Sequence, residues 1–203
     1  MRIAVIAAGG RSGQAFVWEA LAAGHEVRAG IHKDDPFEAH PDLTVLRCDA
    51  TDKAQVTKLI DRCDAVVSLI GHVKGSPDFV QRDAMRAIVA AMEVAGVKRV
   101  VSLTGVGVGG RSEAISKFIA DISVLFGVKR LRDGMAHAKV LEASRLDWTV
   151  LKVLFLTDGE PGKFVVKPRG LVKAPTPRRE VARAILRVLA DKSFAKGYAI
   201  ISR

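Results

Sequence analysis

Tyrosine, cysteine and long apolar runs are what this sequence has least of. There is one tyrosine, Tyr198, in 203 residues, so chemistry that needs a phenol has a single candidate. The two cysteines, Cys48 and Cys63, show neither CxxC nor His-rich spacing, which argues against a disulfide framework and against a zinc site. No metal is therefore expected. No apolar run approaches the roughly 18 to 20 residues a membrane span needs, so no membrane partner is expected either. The run from Met1 to Ala8 is broken by Gly9, Gly10 and Arg11 before it reaches the length of a signal peptide, and a cytoplasmic location is the expectation. Aromatics are scarce at 5%. With no nucleic-acid motif present, that scarcity disfavours a nucleic-acid partner.

What is present is apolar residues, 49% of the total, and a positive charge of +10. The first number is enough for one globular domain with a proper core. The charge is uneven: residues 1–97 hold 11 Lys/Arg against 13 Asp/Glu, whereas residues 98–203 hold 21 against 9. The series Lys129, Arg130, Arg132, Lys163, Lys167, Arg169, Lys173, Arg178 and Arg179 could form a basic rim for an anionic partner, although a solvated face explains most of these residues better.

Strand and helix patterns alternate along the chain. Strands are predicted at residues 2–7, 26–31, 43–47, 64–70, 98–104, 147–153 and 197–202, and helices at 14–23, 52–61, 78–95 and about 179–191, with Gly24 and Gly96 as stop signals. Short connections between alternating elements predict an α/β fold: a doubly wound parallel sheet in three layers, as a single domain over 1–203. The rhythm changes after Thr104, where residues of about 105–138 read as a helical lid insertion. Residues 158–177 read as a basic Pro/Gly segment.

The first strand leads into Ala7-Ala8-Gly9-Gly10-Arg11-Ser12-Gly13, which opens a helix. Small residues let backbone approach a pyrophosphate, and the helix end offers free N–H groups and positive dipole. Ala7, Gly9, Gly10, Arg11, Ser12 and Gly13 are therefore candidate dinucleotide-binding residues. After the second strand an acid reads the ribose 2′-OH of NAD, whereas cations accommodate the 2′-phosphate of NADP. Here His32 and Lys33 come first, and Asp34 and Asp35 follow. With Arg11, the cations favour NADP(H). Asp34 as the reading residue leaves NAD(H) open.

These residues resemble the atypical short-chain dehydrogenase/reductases, in particular the NmrA-like and biliverdin reductase B (flavin reductase) group, whose N-terminus reads G-A-T-G-x-x-G and whose doubly wound sheet is the NAD(P)-binding Rossmann fold. The match holds at Ala8, Gly10 and Gly13 and departs at Ala7 and Gly9. Further along, Cys48-Asp49-Ala50 is similar to the family's G-D-V, Leu69-Ile70-Gly71 to the segment beneath the adenosine and pyrophosphate, and Gly96 to Ser102 to G-V-x-x-V-V-x. Lys139 to Glu142 resembles K-x-x-E, and Ser144 to Val153 resembles S-G-L-D-W-T-I-L-R-P with Arg145, Lys152 and Val153 departing. The resemblance implies that Asp49 and Ala50 hold the adenine, that Leu69, Ile70 and Gly71 line the nucleotide, that Ser102 or Thr104 meets the nicotinamide carboxamide, and that Lys139 holds its ribose. On residue chemistry alone, Asp49 is equally a helix N-cap, Gly71 a turn and Lys139 an exposed helix lysine.

In the superfamily's usual Y-x-x-x-K pair, tyrosine and lysine share one helix face. The position four before Lys139 is Met135, so that mechanism is expected to be absent. Hydride transfer to an electron-poor acceptor needs mainly proximity and orientation. The expected function is an NADP(H)-binding oxidoreductase that passes hydride to a flavin-like or quinone-like acceptor without a catalytic tyrosine. Lys139, Thr104 and His137 are the catalytic candidates, and His72 is a second candidate proton donor. The rival is a non-catalytic NADP(H) sensor of NmrA type acting through a protein partner. Monomer and homodimer are both compatible with the sequence.

Overall fold

The computed structural model describes residues 1–106, 108 and 128–202. Eight strands form the main sheet: β1 (Arg2–Ile6), β2 (Glu26–Ile31), β3 (Leu43–Arg47), β4 (Ala65–Ser68), β5 (Arg99–Gly105), β6 (Asp147–Val153), β8 (Val165–Lys167) and β10 (Gly197–Ser202). Two short strands, β7 (Leu156–Thr157) and β9 (Thr176–Pro177), pair with each other. The helices are α1 (Arg11–Ala22), α2 (Lys53–Ile60), α3 (Val80–Ala95), α4 (Val128–Glu142) and α5 (Arg178–Ala190).

The strand order is β3-β2-β1-β4-β5-β6-β10-β8. From β1 the chain winds outward through β2 to β3, then returns to β4 on the other side, so the direction reverses between β1 and β4. In such sheets a crevice opens at that reversal, beyond the carboxyl ends of the strands. The register places Ile6 beside Ser68, and Ser68 beside Ser102.

Residues alternate between the two faces of each strand. Ile3 and Val5 of β1 join the core under α1 and α5, with Phe16, Val17, Ile185 and Val188. Ala4 and Ile6 join the other, with Leu59 and Ile60 of α2, Met85, Ile88 and Met92 of α3 and Leu141 of α4. Burial on both faces explains why β1 and β4 read as nearly continuous apolar runs.

The doubly wound expectation holds, with one modification at the edge. The main-sheet strands pair in parallel apart from β8, which runs antiparallel to β10. The stretch expected as a Pro/Gly segment contributes β8 and β9, each too short to show a hydrophobic period. The helical lid expectation at about 105–138 falls largely on residues 107 and 109–127, outside the described residues; its last part is the start of α4.

Candidate dinucleotide and reaction site

The turn after β1 is built by an unusual backbone at Ala7, whose φ is 61°. That left-handed conformation costs an L-residue about 1 kcal/mol, and it falls where the resembling family carries its first glycine. The Ala8 N–H donates to the Gly30 carbonyl at 2.9 Å, and the Gly10 N–H to the Ala7 carbonyl at 3.2 Å. The three glycines differ in what demands them. A methyl group at Gly13 would lie 2.4 Å from the carbonyl oxygens of both Ala7 and Ala8, so α1 packs on the turn only without a side chain there. Added carbons at Gly9 and Gly10 would meet ordinary contacts, 3.5 Å from Ile31 and 3.4 Å from the Ala7 oxygen. The protein's own packing leaves those two positions free for a close approach from outside.

Gly10 is the N-cap of α1 with no side-chain cap, and no acidic residue stands in the first turn. Free N–H groups and a positive dipole end thus face the crevice, a ready anion cradle. This donor set fits a dinucleotide pyrophosphate. Arg11 is exposed and lies 3.6 Å from Asp158, which also pairs with Arg178.

Around the crevice the other expected cofactor residues fall at strand ends. His32 and Lys33 follow β2 and are exposed. Sequence reasoning missed Arg47, the last residue of β3, whose guanidinium donates to the His32 carbonyl at 3.0 Å and adds a cation beside Lys33. Only the pairing of β2 with β3 could have revealed it. Asp49 is half-buried, and one of its carboxylate oxygens accepts from the Thr51 N–H at 2.9 Å and the Thr51 hydroxyl at 2.8 Å. These bonds from Thr51 hold the Asp49 carboxyl below its usual range. The N-cap of α2 is Asp52, which accepts from the Ala54 and Gln55 N–H groups, so the capping alternative for Asp49 is set aside. Ala50 is half-buried, and Leu69, Ile70 and Gly71 follow β4, where an added carbon at Gly71 would meet nothing within 4 Å.

At the ends of β4 and β5 a buried polar cluster faces α3 and α4. Ser68, Ser102, Thr104, Asp133 and His137 are all buried. Gly134 permits the close seat of α4, since a carbon there would lie 2.8 Å from the Thr104 hydroxyl and 3.0 Å from Val108. The fully buried Asp133 carboxylate accepts from the Gln81 N–H at 2.9 Å, the Arg82 N–H at 2.9 Å and His72 Nε2 at 2.8 Å. The Gln81 side chain in turn donates to the Ile70 carbonyl at 2.8 Å. This tie between α4, the start of α3 and the end of β4 was missed by sequence reasoning.

The catalytic candidates separate in space. Thr104 and His137 belong to the cluster, and the Ser102 hydroxyl and His137 Nδ1 have no hydrogen-bond partner among the described residues. Burial pushes the His137 imidazole down to about 4, with the Asp133 carboxylate pulling weakly the other way. At neutral pH it is uncharged and has no readily released proton. Lys139 is exposed. Two residues beyond His137, it lies roughly 200° further round the helix and faces away from the buried stripe of Asp133, His137 and Leu141, so α4 does not bring it to the cluster. Met135, four before it, is 44% exposed. Tyr198 lies in β10, where its hydroxyl donates to Glu142 at 2.6 Å and its ring packs edge-on against Trp148.

Fold and site together define a Rossmann-type dinucleotide-binding domain. The family model described as NAD(P)H-binding matches residues 7–192: the chain belongs to this NAD(P)H-binding family, in agreement with the resemblance to atypical short-chain dehydrogenase/reductases carried by its motifs. Among solved structures, the oxidoreductase ylbE from Lactococcus lactis superposes with a TM-score of 0.84 at 16% identity, covering 100% of this chain and 91% of that one. A short-chain dehydrogenase/reductase from Veillonella parvula in complex with NADP gives 0.82 at 18% identity, covering 100% and 94%. A provisionally assigned NADH-flavin reductase from Streptococcus pneumoniae gives 0.79 at 21%, covering 99% and 98%. Among the described residues no helix is long and apolar enough to cross a membrane, and no group of three or more His, Cys, Asp or Glu could hold a metal ion.

Proposed function

We propose that the protein is an NADP(H)-dependent reductase that delivers hydride to a flavin-like or quinone-like acceptor without a catalytic tyrosine. The observation that carries this reading is the engagement of the only tyrosine by Glu142 and Trp148, together with the exposed Met135 at the position where the superfamily places its phenol. The uncapped end of α1, with Gly9 and Gly10, would hold the pyrophosphate. Arg11, His32, Lys33 and Arg47 would balance a 2′-phosphate, which favours NADP(H) over NAD(H). Ser102 and Thr104 would meet the nicotinamide end. When bound, the dinucleotide supplies the hydride; the chain's residues bind, orient and exclude water.

The chemistry left to this site suits acceptors that need no strong acid at the moment of hydride arrival. A screen of flavin and quinone acceptors with NADPH tests the reading: sustained NADPH oxidation supports it, and tight binding without turnover with any acceptor overturns it. The second reading, an NADP(H) sensor, is favoured by the enclosed His137, which is uncharged near neutrality and offers no acid there.

A further inference from the structure

The pair of Asp133 with His72, the second candidate proton donor, joins residues 61 apart in the chain. His72 stands directly after Gly71, beyond the carboxyl end of β4 and beside the crevice. Its side chain is 12% exposed, whereas the Asp133 side chain is fully enclosed. Asp133 already accepts two backbone N–H groups. A carboxylate receiving three such contacts acts as acceptor throughout, so Nε2 of His72 carries a hydrogen towards it. That fixes the ring orientation and leaves Nδ1 as the nitrogen that can meet a ligand. No hydrogen bond engages Nδ1 among the described residues. A buried carboxylate that fixes one imidazole nitrogen while the other meets the reaction space is the arrangement that orients a histidine for proton transfer.

We infer that His72, positioned by Asp133, donates the proton that completes reduction of a quinone-type acceptor. This inference rests on the reductase reading. In the step, the reduced nicotinamide gives a hydride to the acceptor and becomes oxidised. The acceptor gains two electrons and one hydrogen, and negative charge develops on its oxygen. Protonated His72 Nδ1 transfers its proton to that oxygen, giving the neutral hydroquinone, and solvent reprotonates His72 through its exposed edge. The surrounding charges among the described residues are few. From α3, Arg82 faces Asp133 but is bonded to Asp83; from α4, His137 is uncharged near neutrality; on the connecting loop, Asp78 pairs with Lys129 and Lys74 is exposed. The Asp133 carboxylate is the only charge in direct contact with the His72 ring among the described residues.

Two variants separate proton donation from a structural tie. His72→Gln retains an amide N–H for Asp133 but has no titratable proton, and His72→Ala opens a space that free imidazole can enter. With NADPH and menadione as probes, His72→Gln is expected to bind NADPH as tightly as the wild type and to reduce menadione about 100-fold more slowly. Added imidazole restores the His72→Ala rate. Independently of turnover, nitrogen-15 spectra of the nucleotide-free protein should show His72 with hydrogen on Nε2, and Asp133→Asn should disturb that signature. Menadione reduction by His72→Gln at the wild-type rate overturns the inference, as does a loss of rate that follows a matching loss of NADPH binding. A wild type that binds NADPH but reduces no acceptor overturns the reductase reading and this inference together, whereas the first two results overturn only the role of His72.

Discussion

Gly13 and Ala8 are in such close approach that one added carbon on the first would lie 2.4 Å from the carbonyl oxygen of the second. This separates two kinds of glycine in one loop. Gly13→Ala forces α1 off the turn and is expected to destabilise the fold by about 1–3 kcal/mol, the usual cost of overpacking. Gly10→Ala meets only ordinary contacts, so it should leave thermal stability nearly unchanged while weakening dinucleotide binding. Thermal unfolding and NADPH titration of the two variants check the contrast; equal effects on stability would contradict it.

Ala7 occupies a left-handed conformation that glycine adopts without strain. Relief of the strain outweighs the extra freedom glycine gives the unfolded chain, so Ala7→Gly is expected to stabilise the protein by about 0.5–1 kcal/mol. A fall in the denaturation midpoint would count against the turn described here.

His137 gives a pH dependence of known sign. Its folded value, pushed down to about 4 by burial, lies below the ordinary 6.5 of the unfolded chain. The unfolded state therefore binds more protons in that window, and stability falls as pH drops from 6.5 towards 4. Between pH ~7 and pH ~5 the wild type is expected to lose about 2 kcal/mol more than His137→Gln. Parallel urea titrations of the two proteins at those pH values measure the difference, and identical losses would remove the enclosed imidazole from the account.

Arg47 and Lys33 bear on cofactor choice. If they read a 2′-phosphate, Arg47→Ala and Lys33→Ala should each weaken NADPH about 10-fold, as expected for one lost charge-assisted contact, and leave NADH binding unchanged. Equal effects on the two dinucleotides would move selection elsewhere.

The Lys173–Glu180 pair is enclosed, with Nζ and Oε2 2.6 Å apart and Glu180 fully buried. Besides Lys173, that oxygen receives the Gly162 N–H at 3.1 Å, and the other carboxylate oxygen has no partner among the described residues. Lys173→Met strands a buried charge and is expected to cost about 3–5 kcal/mol. Differential scanning calorimetry should show a large fall in Tm, and a small change would mean that water reaches Glu180.

Much of this fold was legible because its signals are local. Gly96 ends α3 in a left-handed conformation, φ 71°, and the runs of β1 and β4 are apolar because both faces are covered. β8 was illegible because three residues cannot display a period and only its pairing with β10 makes it a strand. The candidate site divides in the same way. The loop from Ala7 to Gly13 and the strand-end residues follow from motif and position. The contact of Asp133 with His72 spans 61 residues and has no spacing to read. Lys139 was placed by motif alone; it is exposed and lies on the face of α4 that also carries Met135, away from the buried Asp133, His137 and Leu141.

The most direct test of the account is NADPH oxidation by the wild type and by Gly10→Val, with flavin mononucleotide and menadione as acceptors and dinucleotide affinity measured alongside. The account predicts sustained turnover by the wild type, and loss of both binding and turnover in a Gly10→Val protein that remains folded. Tight NADPH binding by the wild type with no oxidation in the presence of either acceptor would contradict it.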